Sequence, residues 1–464
     1  MIQLRDYQAD IIDRTRASLR VHKSTLIVLP TGGGKTALSV FMLGSACKRD
    51  KKGWFIVHRA ELIYQTSLTF EKFGISHSFI AAGMAYDPAS AIHIISIDTL
   101  KSRIHELVHP AISVWDEAHH IVAPGWLEVK QAMDQTLHVG LTASPERLNG
   151  QGLGEAFNDI VEGPSMRWLI QNGYLSDYDY YNPVKPNLDG LGNSQGDYNS
   201  SQSGALMAQP KIMGDIVKAW KELAAGKITV GFAPNRKTSQ KLADMFNAAG
   251  IQSAHIDGST AKDVRKGMAR KLATGEIMVL WNVALLSEGY DLSAQAGTDV
   301  TIDCVIDAAP THSLVNFLQR CGRSLRKKAD GSNAVIIDCA NNWKKHQLPD
   351  TPRTWSLQAQ RRNVRAANDP FYIKQCGECY FVHEPAPKCP ACWFEYPVQS
   401  HEVKIDTDAE FRKLEKEQHE AKVRDMHNRV KLCRTFEDFK QLAADMGYSP
   451  GWAWHRYNAR KRKA

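Results

Sequence analysis

The chain alternates short, almost wholly apolar runs with longer stretches whose apolar residues recur every three or four positions. Up to about residue 170 the runs are STLIVLP (24–30), GWFIVH (53–58), AIHIISI (91–97), AISVWD (111–116) and LHVGLTA (137–143). Runs of this length without polar alternation predict strands buried on both faces of a parallel sheet. Residues 172–210 break the pattern with LDGLGNSQGDYNSSQSG and read as a linker or insertion loop. Alternation then resumes with KITVGFA (227–233), SAHIDG (253–258), IMVLWN (277–282), TIDCVIDAA (301–309) and NAVIIDCA (333–340). Two successive blocks of this kind predict an α/β fold with two parallel sheets side by side.

After about residue 345 the character changes. A polar stretch bearing Arg361, Arg362 and Arg365 leads to a cysteine cluster, then to a charged, helix-like segment at 401–434, then to a short aromatic and basic tail. The expected division is 1–171 for the first α/β domain, 172–210 for the linker and 211–345 for the second domain. Beyond these lie a basic linker at 346–370, a cysteine-rich unit at 371–400 and a helical basic region at 401–464.

Composition narrows the class. The 464 residues are 43% hydrophobic and 23% charged, an ordinary globular balance for about three folding units. No apolar run approaches the ~20 residues that a bilayer span needs. MIQLRDYQADIIDR carries charges from its fifth residue with no apolar stretch after them, unlike a signal peptide. A cytoplasmic protein without a membrane partner is expected. Fifty-eight Lys and Arg against 50 Asp and Glu give +8, which permits polyanion binding without demonstrating it. Nine cysteines, four of them tightly clustered, fit a reducing compartment and a metal site better than a disulfide framework.

The first candidate chemistry follows the run at 24–30. Thr31-Gly32-Gly33-Gly34-Lys35-Thr36 leads into the helix-like ALSVFMLGSA. Glycines let backbone N–H groups point into one concavity, and a helix N-terminus adds a favourable dipole for phosphate. Lys35 would pair with the β- and γ-phosphates and Thr36 would ligate Mg²⁺. The strict G-x-x-x-x-G-K-[ST] pattern is not met, because Leu29 stands at the first glycine position. AISVWD then ends in Asp116-Glu117-Ala118-His119, a carboxylate pair at the carboxyl end of an apolar strand, where open α/β sheets bind ligands. Asp116 is placed to hold Mg²⁺ and Glu117 to polarise the attacking water. The first domain is therefore expected to bind and hydrolyse a nucleoside triphosphate.

With these residues in hand, the chain resembles the superfamily 2 nucleic-acid helicases of the DEAD/DEAH class. Leu4-Arg5-Asp6-Tyr7-Gln8 resembles the LRxYQ adenine-recognition element, which implies Arg5 and Gln8 as nucleotide contacts. PTGGGKT and DEAH match the family's first two motifs as the family spells them. His58 to Leu62 and Ser96 to Leu100 fall where strand-contacting motifs are placed, and Thr142-Ala143-Ser144 resembles a permuted S-A-T coupling motif. Gly231-Phe232-Ala233 resembles the fourth motif and Asn282 to Asp291 the fifth, implying that Gly289 and Asp291 face the nucleotide. Gln319 to Arg326 (QRCGRSLR) matches Q-x-x-G-R-x-x-R, which implies catalytic roles for Gln319, Arg323 and Arg326. The nearest likeness is to the RadD-like, type III restriction helicase-subunit-like group of bacterial and phage DNA helicases. The likeness covers residues 1–345 and fades beyond them. It implies two tandem RecA-like domains, ATP and Mg²⁺ as cofactors, and single-stranded or forked DNA as partner, with single-strand-binding protein a further candidate. Arg323 and Arg326, offered across a cleft by the second domain, would act as arginine fingers, each type worth on the order of 10³ to 10⁵ in rate.

Cys376-Gly-Glu-Cys379 and Cys389-Pro-Ala-Cys392 are two C-x-x-C knuckles nine residues apart. Four thiolates in one short segment suit a closed, structural Zn²⁺ site, so 371–400 is expected to be a zinc ribbon. An iron–sulfur site and redox thiols are the competing readings. Tyr380, Phe381, Trp393 and Phe394 read first as its small core and second as stacking bases. The tail, Trp452 to Tyr457 followed by Arg460, Lys461, Arg462 and Lys463, suits either a nucleic-acid contact or a docked C-terminal helix. The expected function is an ATP-dependent DNA helicase or translocase, acting as a monomer. Its alternatives are a duplex translocase that does not separate strands, an RNA helicase, and a nucleotide-gated binding module without hydrolysis.

Overall fold

The computed structural model describes residues 3–286, 290–359, 373–397, 429–430, 432–446 and 450–461. The chain divides into two units, Met1–Tyr396 and Pro397–Ala464. The first unit contains β1 (Ser24–Val28), β2 (Gly53–Val57), β3 (Ser78–Ile80), β4 (Ile92–Ser96), β5 (Ile112–Trp115), β6 (Leu137–Thr142) and β7 (Asp159–Glu162). These form one seven-stranded sheet in the order β3-β4-β2-β5-β6-β1-β7, with every pairing parallel. A second sheet is built from β8 (Tyr178–Tyr181), then, beyond the short hairpin β9 (Asn193–Ser194) and β10 (Asp197–Tyr198), β11 (Thr229–Phe232), β12 (Ser253–Ile256), β13 (Val279–Asn282), β14 (Cys304–Asp307) and β15 (Ala334–Asp338). Its order is β12-β13-β11-β14-β15-β8, again parallel throughout. Two RecA-like α/β domains are thus present in tandem.

Each of the ten apolar runs contains a strand, and β1, β2, β4 and β15 are buried at every position. Within the two large sheets, the strands that the pattern did not announce are β3, β7 and β8, and all three lie at sheet edges. An edge strand is covered on fewer sides, so it tolerates polar residues such as those of DIVE and YDYY. This changes the reading of 172–210. The segment supplies β8, the hairpin and the helix Ser200–Met207. The Tyr180 hydroxyl, fully enclosed, donates to Asp338 Oδ2 at 2.9 Å and ties β8 to β15.

The fourth-motif glycine has a packing reason. A Cβ at Gly231 would lie 2.3 Å from the ring of the fully buried Trp281 on the neighbouring strand, so only a bare backbone fits there.

The two domains share one apolar seam. Ile11, Leu29 and Leu169 of the first domain pack in one cluster with Leu175 of the connecting segment and with Tyr180, Phe317, Leu318, Cys321 and Leu325 of the second. The segment after the second sheet, expected as a linker, returns to the first domain. Trp355 and Leu357 pack there, and Leu357 O accepts the Gly154 N–H at 2.9 Å. Arg353 fixes the turn by donating to the carbonyls of His346, Leu348, Pro349 and Thr351 at 2.8–3.1 Å. Arg361, Arg362 and Arg365 lie outside the described residues.

Two more short strands, β16 (Lys374–Gln375) and β17 (Val382–His383), form the antiparallel hairpin that carries the first cysteine knuckle. In the second unit the helices Phe436–Asp445 and Pro450–Lys461 pack through Phe439, Leu442, Ala443 and Ala453. Arg460 closes this pair by donating to the Cys433 and Val430 carbonyls. The docked-helix reading of the tail is what this local packing displays, although Trp454 stays exposed. Most of the expected charged helix at 401–434, and the last basic residues Arg462 and Lys463, fall outside the described residues.

Candidate active site

Three chain segments reach one edge of the first sheet. β1 pairs with β6 so that Val28 lies opposite Thr142, and β6 pairs in turn with β5. The glycine loop after β1, Asp116-Glu117 after β5 and Thr142-Ala143-Ser144 at the end of β6 therefore emerge side by side at the strands' carboxyl ends.

Gly32 and Gly34 take left-handed backbone angles (φ 82° and 89°), and the helix Lys35–Cys47 starts directly after them. Thr31, Gly32, Gly33, Gly34, Lys35 and Thr36 thus form the curved backbone that a phosphate chain requires. Leu29 explains the missing first glycine. It is fully buried, its side chain lies 2.7 Å from where a Gly33 Cβ would stand, and its carbonyl accepts from Lys35 Nζ at 3.1 Å. Lys35 is thereby held over the loop.

The N-terminal element closes one side. Tyr7 donates through its hydroxyl to Gly33 O at 2.9 Å, while Gln8 accepts from Arg5 N at 3.0 Å and points its amide nitrogen at Gly33 O, 3.4 Å away. The Arg5 guanidinium sits 4.9 Å over the Tyr174 ring, which stacks on Trp168. Tyr7, Trp168 and Tyr174 therefore line this side, and sequence reasoning had not singled out the last two.

Glu117 adopts a left-handed conformation (φ 46°) and is buried; backbone strain of this kind persists where surrounding structure imposes it. Its Oε2 accepts no hydrogen bond among the described residues and faces His119 Nδ1 at 3.4 Å. That imidazole nitrogen also lies 3.2 Å from Thr142 Oγ1, which donates to Ser144 O at 2.7 Å. The hydroxyl of Thr142 is what joins the acidic motif to the permuted coupling motif. His58, His119 and His120 form a run of neighbouring rings, with centroids 5.1 and 4.1 Å apart, beside the acids. Burial pushes the Asp116 carboxyl well above the ordinary range and the adjacent Glu117 adds to the rise, while Lys35 and His58 oppose it. A cation bound there would replace the missing positive charge.

The second domain brings its helix Leu314–Cys321 against the glycine loop. A Cβ on Gly322 would lie 2.8 Å from the Thr31 Cβ, so the residue before Arg323 must be bare for the domains to meet. Gln319 is buried, and among the described residues neither of its amide atoms has a hydrogen-bond partner. Arg320 is structural: it pairs with buried Asp307 at 3.0 Å and donates to Ala309 O. Arg323 donates to Tyr290 O at 2.6 Å, and Arg326 approaches Asp291 Oδ2 at 3.4 Å. Burial would raise the Asp291 carboxyl, but Arg326, the Ser293 N–H and Arg323 hold it below the usual range. Gly289 lies outside the described residues. One cross-domain bond escaped the sequence reading: Gln65 Oε1, from the helix Ala60–Lys72, accepts the Asp291 N–H at 2.9 Å. A glutamine on an ordinary amphipathic helix carries no local sign of such a role.

Apart from this seam, the sulfurs of Cys376, Cys379, Cys389 and Cys392 all lie within 4.8 Å of one another. Cys376 and Cys392 sulfurs are 3.7 Å apart, and those of Cys379 and Cys389 3.6 Å. A tetrahedron with metal–sulfur bonds of about 2.3 Å has edges of about 3.8 Å, so the donor set is compatible with zinc.

Two RecA-like domains with a phosphate loop, paired acids and an arginine-bearing helix at their junction define a nucleoside-triphosphate-driven motor. Residues 1–147 match the family described as Type III restriction enzyme, res subunit, and residues 210–328 match the Helicase conserved C-terminal domain. A 51.5 kDa protein of Lactococcus phage (isolate 7-9) is 30% identical over 407 residues, covering 86% of this chain and 84% of its own. A DNA 3'-5' translocase, XPB2, of Sulfurisphaera tokodaii is 26% identical, covering 73% of this chain and 81% of its own. Relatives in Saccharomyces cerevisiae and Schizosaccharomyces pombe are longer, and this chain spans 51% and 59% of them. In fold, the ATP-dependent type ISP restriction-modification enzyme LlaBIII bound to DNA superposes with a TM-score of 0.53 at 16% identity, over 72% of this chain and 28% of that one. The chain belongs to the superfamily 2 helicases, in the type III restriction-subunit-like group. It is an ATPase of the helicase and translocase class, and the family's cofactors are ATP and Mg²⁺.

The raised Asp116 carboxyl yields a signed prediction. With Asp116 as the proposed Mg²⁺ ligand, cation binding needs its anion, so ATPase activity is expected above the raised value and is expected to be lost as pH falls through it. Proton and Mg²⁺ then compete, and raising Mg²⁺ moves the acid limb of the pH–rate profile to lower pH. An acid limb that ignores Mg²⁺ contradicts the assignment.

Proposed function

We propose that this protein couples ATP hydrolysis to movement along DNA, with single-stranded or forked DNA as its track. The observation that supports the reading is the close approach of Gly322, the residue before Arg323, to Thr31 of the glycine loop, so that the two motifs meet only while the domains are joined. In this reading Lys35 neutralises the β- and γ-phosphates, and Thr36 and Asp116 hold Mg²⁺. Glu117 polarises the attacking water, Gln319 positions it, and Arg323 and Arg326 stabilise the charge that builds on the γ-phosphoryl. Gly289 and Asp291 report nucleotide state to the second domain, and Arg5 and Gln8 read the base. Each turnover opens and closes the seam, which moves the two domains relative to a bound strand. In this reading every proposed catalytic residue comes from one chain, which is compatible with a monomer as the working unit. DNA is favoured because the S. tokodaii relative is named a DNA translocase and the matched family is that of a restriction subunit.

ATP turnover measured side by side with single-stranded DNA, forked DNA, duplex DNA and RNA tests the reading. The expected result is at least about tenfold stimulation by single-stranded or forked DNA. Stimulation by duplex alone, or by RNA alone, would replace the track; no stimulation by any of them would remove the motor.

We also assign Cys376, Cys379, Cys389 and Cys392 to one structural zinc ion, supported by the sulfur spacing above. A hairpin of this size has little core of its own, so the metal would supply its folding energy. Elemental analysis should find one zinc per chain, and Cys389→Ser with Cys392→Ser should abolish it. Iron in the purified protein, or zinc retained in the double variant, would overturn the four-thiolate site.

A further inference from the structure

The two cysteine knuckles repeat one local geometry. The Cys376 N–H donates to Phe381 O at 2.8 Å and the Tyr380 N–H to Cys376 O at 3.2 Å. In the second knuckle Cys389 N–H donates to Phe394 O at 2.9 Å and Trp393 N–H to Cys389 O at 2.9 Å. The residue after the last cysteine of each knuckle, Tyr380 in one and Trp393 in the other, must consequently enter the left-handed region, with φ of 63° and 62°. That region suits glycine and is a genuine outlier for a bulky side chain. Both positions nonetheless carry large aromatics.

Those rings do not repay the strain by packing. Trp393 is 73% exposed and Tyr380 and Phe394 38% and 37%, whereas Phe381 is partly covered and meets Tyr181 at 5.2 Å; Phe394 meets Tyr396 at 5.6 Å. The sequence reading treated all four aromatics as core first; the structure partly covers Phe381 and leaves the other three exposed, and of these only Tyr380 and Trp393 carry the left-handed backbone. Two strained and solvent-facing rings at equivalent positions around one sulfur cluster are costly to folding, and such outliers persist at sites of function.

We propose that Tyr380 and Trp393 form a stacking platform for unpaired bases, a single-strand contact outside the motor seam. The occupant follows from the chemistry. Aromatic faces accept any base, and Lys185 Nζ lies 5.9 Å from the Tyr380 ring centroid, a cation–π contact for which a nucleotide phosphate would compete. The other nearby cations are already engaged: Lys388 with Glu395, and Lys374 with Ala386 O and the Tyr396 ring. Binding at this platform therefore comes mainly from stacking and only slightly from charge. The proposal rests on the reading of the protein as a motor on a nucleic-acid track.

The test replaces both rings by the residue that the backbone favours. In the full-length protein, Tyr380→Gly with Trp393→Gly should keep one metal per chain and the ATPase rate without nucleic acid, and its Tm should hold or rise. Its Kd for a fluorescent oligo(dT), read by anisotropy, should rise about tenfold or more per ring, while the slope of log Kd against log salt should shift by less than one. Tyr380→Asn with Trp393→Asn, which also tolerates the left-handed backbone, should behave alike and guards against a folding artefact. Kd within twofold of wild type in either metal-replete pair removes the platform and leaves the motor reading intact. A wild-type protein that binds oligo(dT) at no salt concentration removes both.

Discussion

The structure depends on a contact that leaves no room for a side chain. The helix bearing Gln319 meets the glycine loop through Gly322 against Thr31, and an apolar seam of Leu29, Leu175, Phe317, Leu318 and Cys321 surrounds it. Apolar burial brings the domains together without direction; the bare glycine sets how closely they approach. The loop and the helix of the second domain are both referred to this point, which is why the proposed mechanism ties catalysis to domain motion. Gln65 and Asp291 add a directional hydrogen bond to the same junction, from a helix that begins where a strand-contacting motif is expected.

Charge completes what packing begins. The acids Asp116 and Glu117 are crowded together with too little positive charge around them, which raises the Asp116 carboxyl. Across the seam the opposite excess holds Asp291 ionised between arginines. A site short of cations on one wall and supplied with arginines on the other is suited to a cation-bound polyphosphate between them. Arg320, one residue from Gln319, is spent instead on buried Asp307, so this motif arginine supports the fold.

Much of the fold was legible in the sequence because buried parallel strands are written as unbroken apolar runs. The exceptions share a cause. β3, β7 and β8 are edge strands, and their mixed residues resemble loop; β8 in particular turned an expected linker into part of the second sheet. At the site, Lys35 and Asp116-Glu117 announced themselves through glycines and strand-end acids. Leu29 looked like a defect and proves to be core whose carbonyl holds Lys35. Gln65, Trp168 and Tyr174 were invisible for another reason: their positions matter only through partners more than one hundred residues away or through a ring stack that sequence spacing does not encode.

The central claim is that hydrolysis requires the second domain's arginine at the loop of the first. Single-turnover measurement on Arg323→Ala addresses it most directly, with nucleotide binding followed in parallel. The account predicts Mg·ATP affinity within several-fold of wild type and a cleavage step slowed on the order of 10³-fold or more. Cleavage at the wild-type rate, with the nucleotide bound normally, would contradict it.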